Sequence, residues 1–212
     1  MDGKFAENLH IVGHAGKARQ NDGNGREWGM IWLVLGVALW SGAHLFKRLA
    51  PKARRGMGDA GKGMVAAASI LAIVLMVIGY RMSDPVVLWQ LGDWTRHANN
   101  TLMVVSVLLL GLGKSKSRFN GIMRHPMLAG VLVWCVAHLL VNGDVPSLVL
   151  FGGLGLWSVV QMVLINRAEP KWTPPKKGNA MGDLRLIVIA AVLYAVITGL
   201  HIWLGPNPFT GA

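Results

Sequence analysis

Apolar residues in this chain come in long unbroken blocks, not in stripes. Six blocks approach the roughly 20 residues that cross a bilayer at 1.5 Å rise each. They lie near 29–48, 64–82, 97–113, 126–142, 146–165 and 184–204. Stretches such as "MVAAASILAIVLMVIGY" and "LIVIAAVLYAVITGL" have no polar face, which a soluble helical core would require. No block alternates with period 2, so a membrane β-barrel is excluded. The pattern predicts an all-α, polytopic membrane helix bundle of about six transmembrane helices, spanning 29–212 behind a polar, flexible tail at 1–28.

The breaks between blocks agree with this division. Pro51 and "RRGMGDAGKG" end the first block and predict a mobile loop, and Ser83-Asp84-Pro85 stops the second. "VVLWQLGDWTRHANN" reads as a short amphipathic turn along the interface. Pro126 suits the first turn of a helix. "NGDVP" at 142–146 reads as a tight turn, and the loop "EPKWTPPKKGNAMGD" as non-helical.

Composition sharpens this picture. The chain has 212 residues, 53% of them hydrophobic and 15% charged, with a formal charge of +11. Nucleic acid is the first thought, but the placement of charge argues otherwise. Lys47 to Lys62, Lys114 to Arg124, and Arg167 to Lys177 fill alternate links. This is positive-inside asymmetry, and it predicts both termini outside. Trp28, Trp32, Trp89, Trp94 and Trp203 then form an outer aromatic belt, and the basic loops meet anionic lipid. One cysteine excludes an intrachain disulfide. His10 and His14, four apart in the tail among glycines, are read as incidental and not as a metal pair.

Ionisable residues inside a span tend to mark function. Acidic and basic residues are nearly absent from the six blocks, so the histidines stand out. His44 follows Trp40 by four residues, and His138 follows Trp134 by four within "RHPMLAGVLVWCVAHLL". The shared W-x-x-A-H-L lettering hints at two halves related by an in-plane twofold. Uncharged imidazoles facing a bundle interior suit haem iron, with the macrocycle filling apolar space between helices. His44 and His138 are the candidate iron ligands, and Cys135, one turn before His138, is a thiolate substitute. The bland alternative for each histidine is a hydrogen bond that steadies packing by about 1 kcal/mol. His201 is assigned that role, and so is His97 when taken alone.

Depth complicates the pairing. His44 lies toward the inner end of its block and His138 toward the outer end of its own, a difference of about 10–15 Å. Two axial nitrogens must sit about 4 Å apart. Depth alone pairs His44 with His125 on the inner side and His97 with His138 on the outer side, a two-haem arrangement. Arg124 and His125 stand at the inner mouth, where a haem propionate or lipid head group would lie.

Three passages are similar to the NnrU family of bacterial membrane proteins, which includes the 15-cis-zeta-carotene isomerases. They are "SGAHLFKR", "GIMRHPMLAGVLVWCVAHLLVNGD" and "SLVLFGG". The resemblance covers the chain from Met30 on. It implies a multi-pass protein of the bacterial inner membrane and haem b as cofactor, with axial histidines at His44 and His138 and Cys135 as a redox-dependent substitute. It also implies one of two activities: cis–trans isomerisation of an apolar polyene by reduced haem, or a role in nitrite and nitric oxide metabolism. The compact length and the "HLLVNGD" turn look more like the second branch.

Two alternatives come from other classes. "RHPMLAG" resembles a segment of membrane methyltransferases that holds S-adenosylmethionine, although Leu128 stands where those enzymes carry tyrosine. An assembly factor for respiratory membrane proteins, without chemistry of its own, is the third reading.

Overall fold

The computed structural model describes residues 27–205 and 207–210. Most of the expected 1–28 tail, with His10 and His14, lies outside the described residues. Among those described, every regular element is helical: α1 (Glu27–Leu49), α2 (Pro51–Gly56), α3 (Ala60–Met82), α4 (Trp94–Leu112), α5 (Pro126–Val141), α6 (Val145–Ser147), α7 (Gly153–Ala168) and α8 (Ala180–Leu204). A π turn over Leu148–Gly152 joins α6 to α7, so Val145–Ala168 is one continuous run of 24 residues.

The local chemistry of the boundaries is conventional. Pro51 and Pro126 open α2 and α5, where a missing N–H costs nothing. Asp144 accepts from the Ser147 amide and Asn179 from the Gly182 amide, capping α6 and α8. The first basic link, expected as a mobile loop, instead folds its start into α2, and α3 begins at Ala60, ahead of the expected 64.

Four helical runs are long and apolar enough to cross a bilayer: α1, α3, Val145–Ala168 and α8. The other two expected spans fall short for physical reasons. α5 has only 16 residues, about 24 Å against a hydrocarbon core of about 30 Å. α4 begins with Trp-Thr-Arg-His-Ala-Asn-Asn, so its first two turns are polar. Large apolar side chains such as Ile70, Ile187, Ile189 and Val192 point outward, which suits lipid and not water.

Hydrogen bonds place the three basic links at one end. Arg48 on α1 donates to the Glu169 carboxylate after α7 at 2.7 Å, and Arg124 before α5 donates to the Glu169 carbonyl. The amides of Gly178 and Asn179 donate to the carbonyls of Ser117 and Lys116, each at 3.0 Å. At the far end, the 86–91 segment is extended rather than a helical turn. The Leu88 amide donates to the Gly143 carbonyl and the Val145 amide to the Val86 carbonyl, clipping this segment onto the α5–α6 turn. Asn100 and Arg96 of α4 donate to the carbonyls of Pro208 and Thr210, which tie the end of the chain down there.

The core joins α1, α3, α5 and the α6–α7 run through Leu33, Ala72, Met76, Cys135, Phe151 and Leu154. α4 packs closely on α5, where the fully buried Ser106 hydroxyl donates to the Gly130 carbonyl at 2.8 Å. α8 packs chiefly against α4 and is the least covered of the four long apolar runs.

Candidate functional site

A histidine in a helix can reach back one turn with Nδ1. His44, His138 and His201 all do so, to the carbonyls of Trp40, Trp134 and Ile197, each at 2.9 Å. A carbonyl oxygen only accepts, so Nδ1 carries the proton, and in the neutral ring Nε2 keeps a free lone pair. Metal-bound histidines are held in the same way, one nitrogen on a carbonyl and the other on the metal. The packing role and a ligand role are therefore compatible.

The rings sit in two places. His44 stacks on Trp40, with centroids 4.1 Å apart, and meets Trp157 edge-on at 5.2 Å. His138 stacks on Phe151 of the π turn at 4.6 Å and lies 5.1 Å from Trp134. Phe151 and Trp157 are six residues apart on one helical run, or roughly 9 Å along its axis. The two rings therefore contact this run nearly two turns apart. The depth difference read from the sequence persists in the fold.

Neither alternative pairing forms. His125 uses Nε2 to bond the Asn166 side-chain oxygen at 2.8 Å. That residue is nine positions past the Trp157 that His44 touches, roughly 13 Å further along. His97 is exposed at the far end. The imidazole that does meet His138 is His201, with ring centroids 6.4 Å apart. One signal could have found it: His138 and His201 each stand three residues before the end of helices that run the same way, so they share a depth. Cys135 is buried in the core against α7, where a Cβ added at Gly155 would lie 3.8 Å from its sulfur.

An apolar groove of about 600 Å³ opens between α1, α3, α5, α7 and the end of α8. Trp40, Trp134 and Trp157 wall it from three helices, with Met76 and Tyr80 beside them. Arg81 is the single charged residue along its lining. Tyr80 is held by a 2.8 Å hydrogen bond to the Ser147 hydroxyl. Trp40 and Trp157 meet edge to face at 5.7 Å, and the indole N–H of each is buried without an acceptor. His44 lies against Trp40 and Trp157 and His138 against Trp134, and neither histidine is itself part of the groove lining.

At the basic end, Arg48 and Arg124 converge on Glu169, and His125 is bonded to Asn166. The Arg48 hydrogen bond and charge, helped by Arg124, hold the Glu169 carboxyl below its usual range. Arg124 and His125 are thus both engaged by the end of α7. Among the described residues no group of three or more His, Cys, Asp or Glu side chains converges on a common point.

A family model described as NnrU protein matches residues 32–208. No curated protein and no solved structure matches the chain.

Proposed function

Because the chain belongs to the NnrU family, we propose that it is a haem b protein of the bacterial inner membrane. In this reading α4 and α5 complete six crossings, and both termini lie outside, as the clustering of basic links at one end supports.

The observation that carries the haem reading is the groove. Its volume of about 600 Å³ falls within the range of pockets that enclose one organic ligand. Its walls are apolar and aromatic, and Arg81 gives it one cationic group for a carboxylate. The donor set fits as well, through one histidine. His44 packs on two of the three groove indoles and keeps Nε2 free, so it would hold the iron. Trp40, Trp134 and Trp157 would exclude water from the macrocycle faces. His44 and His138 contact the α6–α7 run at residues six apart, Trp157 and Phe151, so the proposal rests on His44 and does not carry over the paired axial arrangement implied by the zeta-carotene isomerases.

Haem held by His44 would supply an iron able to bind a small nitrogen oxide. A macrocycle would fill the groove and leave no room for a polyene beside it. This favours the nitrite and nitric oxide branch over the isomerase branch.

The test is haem content of single variants made with ample haem and measured as the pyridine complex. Wild type and His138→Ala should carry one equivalent, and His44→Ala should lose it. Full occupancy in His44→Ala would sink the assignment of the ligand. Folded wild type without haem would sink the reading itself and return the case to methyl transfer or assembly.

A further inference from the structure

We infer that the ends of α1 and α7 and the turn before α5 form a second site at the basic end of the bundle: a seat for the phosphate of an anionic phospholipid, built on Arg48 and Arg124. The two arginines come from different elements, and their side chains are only 18% and 17% exposed. A cation so far withdrawn from water needs a partner that offsets its lost hydration. One carboxylate serves both. Glu169 stands where α7 ends, and its side chain is 56% exposed. The His125 ring, bonded to Asn166 at 2.8 Å, holds the neighbouring Arg124 against the same helix end.

That carboxylate is not shared evenly. Arg48 donates to Oε1 at 2.7 Å. Arg124 donates instead to the Glu169 main-chain carbonyl, and carboxylate Oε2 lies 4.0 Å from it. A guanidinium carries five N–H donors. Among the described residues Arg124 places a single hydrogen bond, and on a neutral acceptor. Lys47 adds a third positive charge, which also lowers the Glu169 carboxyl. Three cations face one carboxylate, so positive charge is in excess. An anion with several acceptor oxygens completes the set, and phosphate meets the guanidinium fork in the same bidentate way as carboxylate.

The surroundings select a lipid phosphate over a free one. Leu49, next to Arg48, is 66% exposed, and Ile122, two residues before Arg124, is 62% exposed. Arg48 and Glu169 lie at the ends of two of the long apolar runs. Exposed apolar side chains beside cations at that level suit the junction of head group and acyl chain, and a dissolved phosphate has no use for them. Basic pockets between the ends of membrane helices are known to hold anionic head groups. The site uses neither His44 nor any groove residue, so it does not depend on the haem reading.

The experiment is a native mass spectrometry titration of the full chain, stripped of lipid in neutral detergent, with phosphatidylglycerol and separately with phosphatidylcholine. One phosphatidylglycerol should be retained, and more tightly than phosphatidylcholine, whose own cation offsets the attraction. Arg124→Gln should lower the affinity about fivefold, the worth of one Lys or Arg at an anionic surface. The double variant with Arg48→Gln should lose more. Lys177→Gln, which removes an exposed cation at the same end, should change nothing. Glu169→Gln keeps the main-chain carbonyl that Arg124 uses and removes the competing negative charge, so it should raise the affinity, which a misfolded variant would not do. Equal losses in Lys177→Gln and Arg124→Gln would show a diffuse basic surface and overturn the site. Displacement of the lipid by inorganic phosphate at equal concentration would overturn the choice of ligand. His44→Ala should bind the lipid as wild type does, and loss there would give the two arginines to haem carboxylates instead.

Discussion

Replacing Gly79 by alanine should drive α1 and α3 apart. These helices cross through glycines: Gly29 and Gly36 on α1 and Gly79 on α3. An alanine Cβ at Gly79 would meet the Leu33 amide nitrogen far inside contact distance, with Leu33 Cα at 2.7 Å and the Gly29 carbonyl oxygen at 2.8 Å. Those atoms are backbone and cannot rotate away. Ordinary contact begins at 3.4 Å, so the two helices must part by the better part of an ångström. A gap of that size forfeits a quarter to a half of each dispersion contact around the buried Leu33. Overpacking of this kind costs about 1–3 kcal/mol, from which up to about 1 kcal/mol of helix propensity is recovered. The net loss should be about 1–2 kcal/mol. Gly63 on the same helix is the control, because an added Cβ there meets no atom within 4 Å. Gly63→Ala should be neutral or stabilising. Unfolding in detergent, followed by circular dichroism, measures both. Equal stability of the two variants would refute the close crossing, and with it the seating of Met76 and Tyr80 on the groove wall.

Other consequences can be checked in the same protein. Ser106→Ala removes the buried hydroxyl that bonds the Gly130 carbonyl and should cost about 1 kcal/mol in the same unfolding assay. The Glu169 carboxyl is lowered from 4.5, so its contribution is full above that pH and is lost as pH falls through its lower folded value. Glu169→Gln should therefore flatten the loss of stability between neutral pH and pH below 4.5, seen as a smaller drop in Tm than wild type shows. Arg81→Gln should leave the fold intact and weaken haem retention by no more than about fivefold, the worth of an exposed charge pair.

The long apolar runs were legible because a bilayer demands them, and the basic links because they gather at one end of the bundle. Neither signal depends on how helices pack against one another. The crossing count was harder: the polar first turns of α4 and the 16 residues of α5 leave two helices below the length or apolarity a bilayer asks. The two histidines in matching W-x-x-A-H-L contexts, His44 and His138, were also visible, and both make the same hydrogen bond to the tryptophan four residues back. Their separation in depth could be read too, and the structure keeps it. What could not be read is lateral placement. That His138 faces His201 and not His97 depends on α8 packing beside α4. The groove likewise exists only because three tryptophans distant in sequence converge, and no local pattern records that meeting. Extension of the 86–91 segment follows from its pairing with the α5–α6 turn, a contact made across more than 50 residues.

The most direct test of the central claim is an absorption spectrum of the detergent-purified wild type, oxidised and then reduced with dithionite, before and after nitric oxide. Haem held by His44 would give a Soret band in both states, and a shift of that band when nitric oxide is added. Folded protein made with ample haem that shows no Soret band would contradict it.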